Sequence, residues 1–337
     1  MNRRTSLRLL GLTALAGPLA ACGAEAAAGG SELKQLKYQG SVGAVTLPEL
    51  AADLGLLGDL TLQWVGNTIS GPQDIQAATT GDTHFGGAFN GAVIKLAAAG
   101  APIKSVISYY GTDESTFIGY YVLDGGPVRT ARDLIGKKVG MNTLGAHAEA
   151  VLKTYLKRGG LSDDEIRQVE LLALPPVNTE QALRAGQIDV AALGGILRDK
   201  ALERGGVRKL FSDYDLIGAF NAGTYVFRKD VLAKNPTTVR TFVEGVAQAI
   251  EWTKQHPREE VVARFTDIIG RRGRTEDASA LKFWKSFGIS AKGGVIAERD
   301  FQTWLDWLNL TGELKGKQVK VADVYTNEYN PFRDGAR

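Results

Sequence analysis

The chain has 337 residues, of which 44% are hydrophobic, 23% charged and 8% aromatic, the balance of an ordinary globular protein. That excludes a disordered chain, a collagen-like repeat and a polytopic membrane protein, and the length suits two domains. The formal charge of +3 comes wholly from Arg3, Arg4 and Arg8: without them the count of Lys and Arg falls from 40 to 37, equal to the 37 Asp and Glu. No basic surface for nucleic acid is indicated.

Residues 1–21 join this arginine-bearing start to an apolar run from Leu9 to Ala21, the layout of an export signal. The run is too short for a stable membrane span. It ends in Leu19-Ala20-Ala21-Cys22-Gly23, which resembles the lipobox of bacterial lipoproteins, implying cleavage before Cys22 and lipidation of its sulfur. Cys22 is the single cysteine of the sequence, so an internal disulfide is excluded. Arg3-Arg4-Thr5-Ser6-Leu7-Arg8 resembles a twin-arginine motif, with Ser6 where a large apolar residue is usual; the twin-arginine and general secretory routes both stay open. Residues 22–35 read as the lipidated cysteine and a flexible tether.

From Leu36 onward, β-like runs alternate with amphipathic helical stretches. The strands are expected at Leu36–Gly40, Leu60–Val65, His84–Ala88 and Ile103–Tyr109, with helices from Leu47, Pro72 and Ala92. The series resumes with strands at Lys138–Met141, Val169–Leu174, Asp189–Leu193 and Arg208–Phe211, and helices from Ala146, Thr179 and Leu197. An offset of 105 residues superposes the two: Gln76-Ala77 on Gln181-Ala182, Gly81 on Gly186, Lys95 on Lys200 and Gly100 on Gly205. The pattern predicts two similar α/β lobes, each around a mainly parallel sheet. β-rich runs at Phe117–Leu123 and Thr224–Phe227 are the expected crossings, forming a two-strand hinge. The expected boundaries are 36–122 for lobe one, 123–223 for lobe two, and 224–337 for the return to lobe one with C-terminal helices. Asn235-Pro236 opens a long helix, with Val239, Phe242, Val243, Val246 and Ile250 on its buried face and Pro257 as its stop. Phe301, Trp304, Leu305 and Leu308 repeat that stripe.

Catalytic patterns are scarce. His84, His147 and His256 are far apart, and there is no HExxH, cysteine cluster, GxSxG elbow or P-loop. No metal or cofactor is expected. Asp163-Asp164-Glu165 follows Ser162 as a helix cap with favourable charges, and Arg271-Arg272-Gly273-Arg274 reads as a solvated turn.

In open α/β sheets, ligands bind beyond the carboxyl ends of the strands. The loops that fall there, 41–46, 67–71, 89–91, 109–112, 143–147, 177–179, 194–195 and 221–223, are rich in Gly, Ser, Thr and Asn and nearly free of charge. Backbone amides at helix starts bind oxyanions without Arg or Lys, though plain turns use the same residues. Ser41, Thr46, Tyr109, Asn178, Gly195 and Asn221 are candidates on these loops.

Ala77–Pro102, Thr130–Gly145, Ala182–Gly195 and Tyr225–Trp252, in this order and spacing, resemble the extracytoplasmic substrate-binding proteins of ABC importers, in the group that binds aliphatic sulfonates, taurine, nitrate and thiamine pyrimidine precursors. The resemblance implies a bilobed, type II-like periplasmic-binding-protein fold. The implied protein is a monomer, tethered to the membrane by its lipid, that closes on a small ligand and delivers it to a permease and its ATPase. It places Asn67, Thr68, Ser70, Phe89 and Asn90 on the lobe-one wall and Thr143, Leu144, Gly145 and Ala146 on the lobe-two wall. Gly145-Ala146 stands where the family often has a hydroxyl residue after the glycine, which counts against a tightly coordinated sulfonate. Phe89, Tyr109, Tyr110, Phe220 and Tyr225 are candidates to enclose an organic tail, so a pyrimidine-like or aromatic ligand is the alternative to a sulfonate- or nitrate-like anion. Two enzymes share the fold, a desulfinase and a pyrimidine synthase. The resemblance implies cysteine chemistry for the first and a cysteine-rich segment for the second, and this body has no cysteine.

Overall fold

The computed structural model describes residues 31–335. The export signal, the lipobox at Cys22 and most of the tether lie outside them. From Glu32 onward the chain is one compact unit. No helix among the described residues is long and apolar enough to cross a membrane.

The first series is β1 (Gln35–Gly40), α1 (Leu47–Asp53), β2 (Thr61–Asn67), α2 (Gly71–Thr80), β3 (Phe85–Phe89), α3 (Asn90–Ala98) and β4 (Ile103–Thr112). After β5 (Ile118–Leu123) comes the second: β6 (Lys138–Met141), α4 (His147–Arg158), α5 (Asp163–Ile166), β7 (Glu170–Ala173), α6 (Pro176–Arg184), β8 (Val190–Gly194), α7 (Gly195–Glu203) and β9 (Val207–Ser212). Then follow α8 (Asp213–Ile217), β10 (Phe220–Arg228), α9 (Lys229–Lys234), α10 (Pro236–Gln255), α11 (Arg258–Arg271), α12 (Arg299–Leu310) and α13 (Val321–Val324).

The 105-residue repeat is a structural repeat. β3 falls on β8 and α3 on α7 residue for residue, and α2 begins 105 residues before α6. Gly81 and Gly186 both end their helices at positive φ, +90° and +68°, a conformation that favours glycine. Sheet order repeats too. The second sheet runs β7-β6-β8-β5-β9. In the first lobe the β1-β2 ladder adjoins β3-β10-β4, tied through His84, whose amide donates to Lys37 O at 2.9 Å while its Nδ1 accepts from Lys37 N at 2.7 Å.

The expectation of mainly parallel sheets needs correction at the crossings. β5 is antiparallel to both β8 and β9, and β10 is antiparallel to both β3 and β4. Each crossing strand inserts into the sheet of the lobe it enters, because its unpaired backbone groups need a ladder on both sides. The residues that pass between lobes are therefore 113–117 and the α8 region before β10, and the expected boundary at 122/123 falls at the end of a lobe-two strand.

Local signals set several helix starts. Thr46 and Glu49 form a reciprocal capping box on α1, and Ser162 and Glu165 form another on α5. Helix α10 starts with Pro236 as expected, but Asn235 makes no side-chain cap. Its Oδ1 instead accepts from Leu33 N at 2.9 Å, clamping the chain ahead of β1. Val239, Phe242, Val243, Val246 and Ile250 are all buried, in a lobe-one core with Leu36, Leu47, Phe85 and Phe227. A second core crosses the lobe boundary, joining Phe89, Phe220 and Trp304 to Tyr120, Met141 and Val151. The lobes are packed against each other, a closed arrangement.

Candidate ligand-binding site

A cavity of about 290 Å3 lies between the lobes, at the carboxyl ends of both sheets. Lobe one contributes Ala44 and Val45 after β1, Tyr110–Thr112 at the end of β4, and an aromatic wall from Phe265, Phe283, Trp284 and Phe287. The crossing contributes Thr116 and Phe117; lobe two contributes Ile118, His147, Gly194–Ile196 and Asp199. Most of this lining is apolar, as in sites that hold small organic molecules.

The polar groups are few. At the start of α7, Gly194 offers no side-chain cap to the helix amides, and Gly195 has φ +51°, so bare backbone donors meet the cavity. Asp199, one turn on, is held from both lobes: Arg198 Nη2 is 2.7 Å away and Lys285 Nζ 3.2 Å. Arg198 is buried; it donates to Ser115 O at 2.7 Å and stacks 4.0 Å from the Phe117 ring, fastening α7 to the crossing.

Also on the lobe-two side, His147 Nε2 lies 3.2 Å from Asp213 Oδ2, and neither ring nitrogen has a well-directed hydrogen bond. Asp213 is fully buried and accepts from Thr112 Oγ1 (2.8 Å), Ile118 N (3.1 Å) and Tyr214 N (2.8 Å), uniting both crossings. Burial, together with the Asp213 charge, pushes the Tyr110 hydroxyl far above its ordinary value. The far edge of the cleft is bridged by charge. Glu313 meets Lys95 at 2.9 Å and Lys153 at 3.2 Å; burial raises its carboxyl, but the two ammonium groups hold it below the usual range.

Of the sequence candidates, Gly195 lines the cavity. Ser41 and Thr46 flank it on the β1–α1 loop, where Thr46 Oγ1 is engaged by Glu49. Asn67 accepts from Trp64 Nε1 at 3.1 Å, and Thr68 donates to Ser70 O at 2.9 Å, so these three close their own turn. Phe89 is buried and stacked on His147, centroids 5.0 Å apart. Asn90 Nδ2 donates to Asp300 O at 3.0 Å, and Asn221 Nδ2 donates to Asp300 Oδ2 at 3.0 Å; the two asparagines tie α3 and β10 to the first turn of α12. Tyr109 stacks on Tyr225 at 4.3 Å, and Asn178 is exposed on α6. Thr143 and Leu144 stand on the β6–α4 turn, Leu144 exposed. Gly145 N donates to Glu149 Oε2 at 2.7 Å, so a carboxylate of the chain itself takes an amide expected to be free for an anion. Ala146 is 7% exposed, too enclosed to accept a carboxylate without cost.

Three features escaped sequence reasoning. Among the aromatics expected around an organic tail, Tyr110 alone lines the cavity; the wall comes instead from 283–287, a stretch without periodic signal. Arg272 and Arg274 are not solvated. Arg272 donates to Ala44 O at 2.9 Å and pairs with Glu49 and Glu276, while Arg274 donates to Tyr38 Oη at 2.8 Å, so the turn holds the cavity-lining β1–α1 loop. The partner of His147, Asp213, and the second partner of Asp199, Lys285, are distant in sequence, and no local pattern announces them.

Two like lobes, two crossings and a shared cavity define the fold of the periplasmic solute-binding proteins. A family model described as NMT1/THI5 like matches residues 68–260, and the chain belongs to that family. Among solved structures it is similar to the alkanesulfonate-binding protein SsuA from Xanthomonas axonopodis pv. citri bound to MOPS, with 21% identity, 88% of this chain and 99% of that one covered, and a TM-score of 0.69. It is also similar to the periplasmic nitrate-binding protein NrtA from Synechocystis PCC 6803, with 14% identity, 90% and 89% coverage and a TM-score of 0.66. The desulfurization enzyme DSZB shares the fold at 16% identity, 88% and 97% coverage and a TM-score of 0.59. No curated protein matches the chain.

Proposed function

We propose that this protein is the solute-binding component of an ABC importer, a monomer that captures a small organic anion between its lobes and delivers it to a permease. The observation that carries this is the inter-lobe cavity: aromatic walls for an apolar body, with the α7 amides and Lys285 for an anionic head. Nitrate has no apolar surface to bury against such walls, so an organic sulfonate or carboxylate fits better than an inorganic anion. Relatives that bind alkanesulfonate and nitrate support the anionic class. The aromatic walls also suit a flat heterocycle, which keeps a pyrimidine-like ligand as the second reading. Binding is favoured over catalysis because the cationic and imidazole groups on the wall each face a carboxylate rather than a nucleophile.

A thermal-shift series with nitrate, taurine, hexanesulfonate, benzenesulfonate and a pyrimidine tests the reading, since a ligand at 100 times its Kd adds about 2.7 kcal/mol to the folded state. The expected result is a rise with the organic sulfonates and none with nitrate. A rise with the pyrimidine alone would favour the heterocycle, and silence across the series would overturn the reading.

The extracytoplasmic, lipid-anchored location belongs to the same proposal and rests on Cys22 behind the export signal. Cys22→Ala should move the protein from the membrane to the soluble fraction or leave its signal uncleaved. Mass spectrometry finding an unmodified Cys22 in the mature protein would overturn the anchor.

A further inference from the structure

The cavity wall carries an unbalanced charge, and its position says which residue reads the ligand. Asp199 is a single carboxylate between two cations. Arg198, with a side chain 2% exposed, is spent on Asp199, on the Ser115 and Phe117 carbonyls and on the Phe117 ring. It neutralises Asp199 and cannot move without unfastening the crossing. Lys285 is then a surplus positive charge. Among the described residues it is the one Lys or Arg lining the cavity; its side chain is 44% exposed, and its long aliphatic stem is free to re-aim the ammonium. It also comes from the opposite lobe to Asp199 and α7, so its ammonium reaches them only when the lobes are together.

On the reading that an organic anion occupies this cleft, we propose that Lys285 is the specificity-determining residue for the anionic head. Its ammonium pairs with the head at the α7 amides and so couples charge recognition to lobe closure. Asp199 holds Lys285 in place between ligands, and Arg198 offsets the repulsion that Asp199 would otherwise exert on the anion. An uncharged ligand of the same shape gains nothing from Lys285.

Calorimetry on the full-length protein with benzenesulfonate and its neutral analogue benzenesulfonamide tests this, using Lys285→Gln and Lys285→Arg. Lys285→Gln should weaken benzenesulfonate at least tenfold, about 1.4 kcal/mol, and leave benzenesulfonamide within threefold. Lys285→Arg should restore most of the sulfonate affinity. Melting without ligand should barely change, because a half-exposed ion pair contributes little to stability. Equal sulfonate affinity in Lys285→Gln would overturn the inference while leaving the cleft reading intact. So would parallel losses for sulfonate and sulfonamide, which would mark a role in wall shape alone. Wild-type protein that binds the sulfonamide but not the sulfonate would overturn the anionic head, and binding of neither would bring down both the cleft reading and this inference.

Discussion

Asp74→Asn should make the protein more stable than the parent at pH 8 and give no gain at pH 4. Asp74 lies in the first turn of α2, 8% exposed, where α2 packs so tightly on β3 that a Cβ on Gly86 would sit 2.4 Å from the Asp74 carbonyl oxygen. Its Oδ2 accepts from Gly87 N at 2.7 Å, and its Oδ1 has no partner. Burial outweighs that hydrogen bond and pushes the carboxyl up from 3.8 to about 7. A folded-state value above the unfolded one means that the folded chain holds the proton more tightly. The resulting stability is fully present below about pH 4 and is lost as pH rises through about 7. A rise of about three pH units corresponds to roughly 4 kcal/mol, which Asn, unable to ionise, would not lose. Denaturant titrations at pH 4 and pH 8 measure the difference between parent and variant. A difference that does not change with pH would show that Asp74 is not the titrating group.

The second large effect is expected at Arg198. Arg198→Met keeps much of the volume but removes the guanidinium from Asp199, from the Ser115 and Phe117 carbonyls and from the Phe117 ring. Removing one partner of a buried pair costs about 3–5 kcal/mol because the other charge stays buried. Asp199 is about a tenth exposed and keeps Lys285, so the lower end of that range is expected. Adding Asp199→Asn should recover a substantial part, since the uncompensated carboxylate is then gone. Chemical denaturation of the single and double variants tests both statements; a loss under about 1 kcal/mol for the single variant would mean that the pair behaves as an exposed one and does not secure the crossing.

What could be read from residues in order was the information that local physics writes into a chain. The 105-residue repeat was visible because glycine turns and helical stripes recur with each βα unit, and it became two lobes with the same sequence of strands, one five-stranded sheet in the second and the β1-β2 ladder beside β3-β10-β4 in the first. The buried face of α10 was visible because a 3.6-residue period needs only the neighbouring turns to specify it. Helix starts were less exact: α6 opens at Pro176 and α7 at Gly195, slightly earlier than apolar spacing indicated, because first turns are set by backbone geometry rather than by a buried stripe.

The tertiary structure alone decided which strands turn antiparallel, since β5 and β10 carry ordinary β-rich sequence and take their direction from the lobe they enter. It also decided the composition of the site. Loops chosen for small polar residues mostly satisfy themselves, as Thr68 with Ser70 and Gly145 with Glu149 do. The cavity is walled instead by Phe283, Trp284 and Phe287, and its charges are set by Arg198, Asp199 and Lys285. Propensity and periodicity act over one or two turns of chain, whereas a cleft is made by side chains that only the closed fold brings within a few ångströms.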